Sequence, residues 1–190
     1  PDECSIVLGL SHDCNANQIA DECEAGTIQT FTLGDGPGGF SLNGTARWSD
    51  GRIRLTTPNQ LETGSAVLPA TSEPVHGFDA RFDITLAGPD AGSGVSFVAM
   101  NSLHPTFETF GSEGIGYGAL VVSFLPRSGG QPDVINLRSD GTLFAAAPIP
   151  FELADGQPHR VHVSVTPDGI EVGIESATGA SSTPIARTHI

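Results

Sequence analysis

The sequence predicts an all-β protein, a two-sheet antiparallel sandwich or barrel, and three observations carry that expectation. From about residue 27 onward apolar residues recur with period two, not 3.6. Short turn-forming clusters rich in Asp, Gly and Pro punctuate these stretches. Gly (24) and Pro (14) are abundant, yet 38% of the 190 residues are apolar, which fits short strands and tight turns better than disorder or a helical bundle.

Taken in order, Arg52–Thr56, Phe78–Leu86, Val95–Ala99, Leu120–Phe124, His159–Val165 and Ile170–Glu175 read as strands, each alternating or nearly so. Ser49-Asp50-Gly51, Gly88-Pro89-Asp90, Ser139-Asp140-Gly141, Asp155-Gly156 and Pro167-Asp168-Gly169 read as the turns between them. No stretch reads as a helix of three turns.

Charge narrows the partners. The 22 acidic residues outnumber 8 basic ones, all Arg, for a formal charge of −14. That balance argues against nucleic acid and anionic membranes, both of which need basic patches. It suits calcium, a cationic partner or solubility. No apolar run approaches the roughly 18 residues of a membrane span. The chain opens inside a motif rather than on a leader, so it reads as a mature or excised fragment.

All three cysteines fall in the first 23 residues, within a repeat. Pro1-Asp2-Glu3-Cys4 returns as Ala20-Asp21-Glu22-Cys23, and the second copy carries a preamble, Asp13-Cys14-Asn15-Ala16-Asn17-Gln18-Ile19. Counted from Asp13, side-chain oxygens stand at positions 1, 3, 5, 9 and 12, supplied by Asp13, Asn15, Asn17, Asp21 and Glu24. Ca2+ takes six to eight oxygens, and alternate spacing curls carboxylates and amides around one centre. Position 7, Ile19, contributes a backbone carbonyl in such loops. Gln18 departs from the Gly preferred there, and no amphipathic helix precedes Asp13, so a helix-loop-helix hand is not expected. No His stands at zinc-ligand spacing from these cysteines. Short acidic repeats with regular Cys point to an oxidising, extracellular or cell-surface location.

This segment resembles the type 3 repeats of thrombospondin and the related calcium repeats of bacterial secreted proteins, over about the first 25 residues. The resemblance implies calcium held by the residues above in a rigid, disulfide-clipped spacer. It also implies a Cys4–Cys14 bridge that leaves Cys23 for a partner outside the chain, with Cys14–Cys23 as the alternative. The expected domains are therefore 1–26, a calcium-binding spacer, and 27–190, the sandwich.

The strand phrases of the sandwich are similar to those of L-type lectin and laminin-G-like domains over roughly residues 30 to 176. They run from Phe40–Thr56 and Gly64–Pro69 through Phe78–Leu86, Gly92–Val98 and Gly116–Phe124 to Asp155–Val163. The resemblance implies a concanavalin A-like jelly roll and speaks far less to function. Two positions depart from the lectin pattern: Leu125 stands where L-type lectins place a metal-binding Asp, and Ser93 where they place a sugar-binding Asp. The resemblance therefore does not carry the usual calcium-dependent monosaccharide site onto this chain. Such domains also continue with further strands beyond the segment near Ile185, so the sandwich is expected to lack its closing strands or to take them from another polypeptide. An open edge of that kind is a template for strand addition.

Catalysis finds little support. Glu171 and Glu175 mimic the acid pair of glucanases that share this fold, but Gly173 replaces the intervening Asp. Residues i and i+4 of a strand lie ~13 Å apart, whereas a retaining pair needs about 5 Å. A solvated polar face is the plainer reading. His159 and His162, three apart on one strand, must face opposite sides. His76 and His104 stand alone in turn-like sequence, and Cys23 has no basic neighbour to activate it. Asn43-Gly44-Thr45 matches a glycosylation sequon but reads as a turn. Trp48 and Tyr117 are the aromatics suited to sugar stacking, and Trp48 alternates as a core residue would. The long stretch from Asn101 to Gly116, with Phe107, Glu108 and Phe110, is the candidate recognition loop. The chain thus reads as a non-enzymatic binding or adhesion module for a polysaccharide or another protein chain, a copy of itself included. A structural unit of an extracellular fibre or surface layer is the alternative.

Overall fold

A computed structural model describes residues 36–57, 62–71, 75, 77–87, 94–100, 119–127 and 129–179, all in the second of two units into which the chain divides, Leu33–Ile190. Eleven strands follow one another without a helix among these residues: β1 (Ser41–Gly44), β2 (Arg47–Ser49), β3 (Arg52–Arg54), β4 (Gly64–Val67), β5 (Phe78–Ala87), β6 (Val95–Met100), β7 (Ala119–Leu125), β8 (Val134–Ser139), β9 (Thr142–Pro148), β10 (Asp155–Thr166) and β11 (Gly169–Glu175). Every pairing is antiparallel.

Two sheets build the sandwich. One has the order β11-β10-β5, the other β6-β7-β8-β9, and β1-β4 and β2-β3 pair as separate ribbons. The period-two pattern places Phe82, Val161 and Ile174 side by side on one face, and Ala80, Val163 and Val172 in the next row. From the other sheet come Phe97, Val122 and Leu137, then Val95, Phe124 and Ile135. These two faces share one core, completed by Ile84, Ile149, Leu153 and Ile170. Phe97 bridges the sheets, its ring 5.5 Å from Phe82 in a stacked pair and 5.7 Å from Phe78. Burial of such side chains contributes about 1.5–3 kcal/mol each.

The turn chemistry explains the hairpins. Asp50 (φ 55°) and Gly51 (φ 74°) join β2 to β3, while Asp140 (φ 49°) and Gly141 (φ 77°) join β8 to β9. Positive φ at both central residues matches the strand twist, and Asp-Gly tolerates it. Gly94 enters β6 at φ 111°, and a Cβ there would lie 2.3 Å from the Phe124 carbonyl oxygen, so no side chain fits.

Three expectations need adjustment. The strand read over Arg52–Thr56 ends at Arg54. Asp155-Gly156, read as a turn, belongs to the start of β10: Asp155 pairs with Ala87, and a bulge follows before Pro158 pairs with Thr85. Gly156 at φ 75° makes that bulge possible. Finally, β8 and β9 were not among the strands expected. Among the described residues no helix is long and apolar enough to cross a membrane.

Candidate functional site

The strand β7 is buried on both faces, and this shapes what the four-stranded sheet offers. Val122 and Phe124 enter the core, while Val121 (1% exposed), Ser123 (0%) and Leu125 (4%) are closed off on the other side. On that second face Ser96 donates its hydroxyl hydrogen to Ser123 Oγ at 3.0 Å, and the register continues the polar row to Asn136 on β8. Leu125 lies at the strand's end, its Cδ2 3.0 Å from where a Cβ on Gly94 would stand. An apolar side chain shut away there offers a cation no oxygen of its own. Ser93 lies outside the described residues.

The three-stranded sheet turns a charged face outward. Three rows cross it: Asp79, Ser164 and Glu171; Arg81, His162 and Gly173; Asp83, Arg160 and Glu175. Arg81 Nε donates to Asp79 Oδ1 at 3.0 Å, and Arg160 Nε to Asp83 Oδ1 at 3.2 Å. His162 Nε2 also contacts Asp79 Oδ2. This histidine bond, helped by the Coulombic pull of His162 and Arg81, holds the Asp79 carboxyl below its ordinary value, against the opposing effect of burial, which ranks second to the bond. Glu171 and Glu175 are exposed on this face while Ile170, Val172 and Ile174 point into the core. Nothing lies within 4 Å of a Cβ built on Gly173 between them. The pair is thus a solvated polar face, too widely spaced along the strand for retaining chemistry.

The histidines separate as their spacing requires. His162 faces solvent, whereas His159 is fully buried, opposite Ile84. Its ring stacks on Phe151 at 5.0 Å, and its Nε2–H donates to Asp155 Oδ1 at 3.0 Å, while Nδ1 meets no hydrogen-bond partner among the described residues. Nearby, the buried carboxylate of Asp133 fastens two loops. Oδ1 accepts the Arg127 N–H at 2.7 Å, Oδ2 accepts the Leu153 N–H at 2.6 Å, and the Asp133 carbonyl accepts the Ile149 N–H at 2.7 Å. Both clusters serve the crossover from β9 to β10. Sequence reasoning passed over Asp133, since a lone Asp in Gln131-Pro132-Asp133 looks like any turn residue.

The sequon is tied into a turn. Asn43 donates through Nδ2 to Ser65 Oγ at 3.3 Å, and Thr45 Oγ1 lies 2.9 Å from the Leu55 carbonyl and 3.1 Å from that of Thr63. Trp48 is half-buried and pairs with Ile53 across the β2–β3 hairpin. Its other face carries Arg47 directly opposite Arg54, and Arg52 opposite Ser49. The expected calcium ligands Asp13, Asn15, Asn17, Ile19, Asp21 and Glu24 lie outside the described residues. So do Cys4, Cys14 and Cys23, the candidate loop residues Phe107, Glu108 and Phe110, and Tyr117. Among the described residues, no three His, Cys, Asp or Glu side chains group so as to hold a metal ion.

The meander β6–β9 facing a sheet centred on β10, with one shared core, defines a lectin-like jelly-roll sandwich of the concanavalin A kind. Among solved structures the chain is similar to peanut lectin determined with a nine-residue peptide (PVIWSSATG), with a TM-score of 0.60 and 17% identity over 85% of this chain and 80% of that one. At that identity the likeness establishes the fold. No family model matches the chain, and no curated protein matches its sequence.

Proposed function

We propose that the chain is a non-catalytic extracellular binding module, a lectin-type sandwich carried on a calcium-stiffened spacer, whose ligand is a polysaccharide or another protein chain. The observation that carries this reading is the fold shared with peanut lectin, a protein whose solved structure includes a bound peptide. The exposed, separated Glu171 and Glu175 fit it too, because the acid pair nearest in pattern to a glycosidase is not arranged as one. The spacer rests on sequence alone: the oxygen ligands of Asp13, Asn15, Asn17, Asp21 and Glu24, with the Ile19 carbonyl, suit calcium. A Cys4–Cys14 bridge and the long loop with Phe107, Glu108 and Phe110 as recognition surface belong to the same proposal.

A structural unit of a fibre or surface layer, joined by strand donation, is the second reading; the odd cysteine count favours it, since one thiol must pair elsewhere or stay free. Binding of the full chain to polysaccharides and to immobilised copies of itself, with glucan turnover followed in the same samples, separates these readings. Saccharide binding without turnover is expected. Turnover that disappears in Glu175→Gln would overturn the non-catalytic reading, and self-association alone would favour the structural unit.

A further inference from the structure

The β2–β3 hairpin concentrates positive charge in a chain that has little of it. Arg47, Arg52 and Arg54 are three of the eight basic residues, set among 22 acidic ones. The register Arg47↔Arg54, Trp48↔Ile53, Ser49↔Arg52 puts all three guanidinium groups on one face, opposite the half-buried Trp48 and Ile53. All three arginines are exposed. Directly opposed residues hold their Cβ atoms about 5 Å apart, and Arg52 follows about 7 Å further along the strand from Arg54.

Elsewhere the acid excess finds its cations: Arg81 pairs with Asp79, and Arg160 with Asp83. On the hairpin the structure shows no ion pair or hydrogen bond for these three side chains among the described residues. The neighbouring acids are engaged locally. Asp50 Oδ2 accepts the Ser49 hydroxyl at 2.8 Å, and Glu62 Oε2 accepts the Thr57 N–H at 2.6 Å and hydroxyl at 2.7 Å. Like charges directly across a strand pair destabilise it. The hairpin thus bears a cost that an acid at either position would remove, on a ribbon whose register is set by its Asp50-Gly51 turn.

We propose that this face of the hairpin binds the acidic groups, carboxylate or sulfate, of a saccharide. Guanidinium forks match planar and tetrahedral oxyanions bidentately, and Arg47 and Arg54 present two of them side by side. A long polyanion such as nucleic acid is disfavoured by the overall charge of −14, whereas an oligosaccharide with spaced acids need touch only this patch. The proposal rests on the binding-module reading and narrows its ligand class.

The test is titration of the full chain with neutral, uronate-containing and sulfated oligosaccharides at low and high salt, for wild type, Arg47→Gln/Arg54→Gln and Arg52→Gln. Arg160→Gln serves as a control for charge alone, and thermal unfolding checks that each variant is folded. Acidic saccharides are expected to bind and neutral ones not. The affinity should fall tenfold or more in the double variant, fall steeply with salt, and change little in Arg160→Gln. Acidic-saccharide binding that survives the hairpin variants overturns the proposal, as does neutral-saccharide binding alone, though either leaves the binding-module reading standing. Silence toward every saccharide overturns the proposal and leaves the binding-module reading only its protein ligand. Self-association that the hairpin variants abolish, without saccharide binding, assigns the patch to a second copy of the chain and overturns the saccharide.

Discussion

Asp133 and Asp79 are both carboxylates with two partners, yet burial gives them different weights. Asp133 is 6% exposed and fixes the amides of Arg127 and Leu153, so Asp133→Ala strands the buried Leu153 N–H and removes the partner of the part-buried Arg127 N–H. An unsatisfied buried amide costs about 1–3 kcal/mol. The variant should lose at least that much in a urea denaturation, and amide exchange at Leu153 should accelerate ahead of the rest of β10. Asp79 has a side chain 49% exposed, so its pairing with His162 and Arg81 is screened and contributes at most about 1 kcal/mol. Its carboxyl is held below the ordinary value of 3.8 in the folded state. That contribution is therefore present above the unfolded value and lost as pH falls through the folded one. Urea midpoints followed from pH 6 down to pH 2.5 should fall further in the wild type than in Asp79→Asn; parallel curves would show that the pair adds nothing.

The elements were legible wherever one face meets solvent. Phe78–Leu86 reads cleanly because Asp79, Arg81 and Asp83 face out while Phe82 and Ile84 face in, and the strand observed runs one residue further. The hairpin turns were equally plain, since Asp50-Gly51 and Asp140-Gly141 have the chemistry that positive φ demands. The strands β8 and β9 escaped notice for a physical reason. Ile135, Asn136 and Leu137 are all buried, so β8 does not alternate. A register shift between Leu137 and Arg138 then sets Phe144 and Ala145 in succession beside the core and breaks the period of β9. The Arg47–Arg54 pair was within reach, because the Asp-Gly turn fixes the register, but alternation alone does not reveal that two arginines face each other. The sheet-bridging ring of Phe97 gives the element scale its test. Phe97→Ala removes the ring that meets Phe78 and Phe82; Phe97 is only partly buried, so the cost should lie below the about 3–5 kcal/mol of a fully buried ring, read as a lowered denaturation midpoint.

For the whole molecule, the fold was legible and the site was not. A sandwich declares itself through period two and turns, whereas a binding surface on it depends on loop and face positions that no single motif in this chain marks. The proposed spacer makes its own prediction: calcium binds the full chain by isothermal titration, and Asp13→Ala with Asp21→Ala lowers the affinity at least tenfold without changing the far-ultraviolet spectrum of the sandwich. Equal affinity in that variant would remove the calcium proposal. That the chain binds a saccharide without transforming it is put to the test by presenting the folded chain to a broad panel of glycans and polysaccharides, in calcium and after chelation. Retention by a defined saccharide class is expected, with no release of shortened products. Silence across the panel from demonstrably folded protein would contradict it.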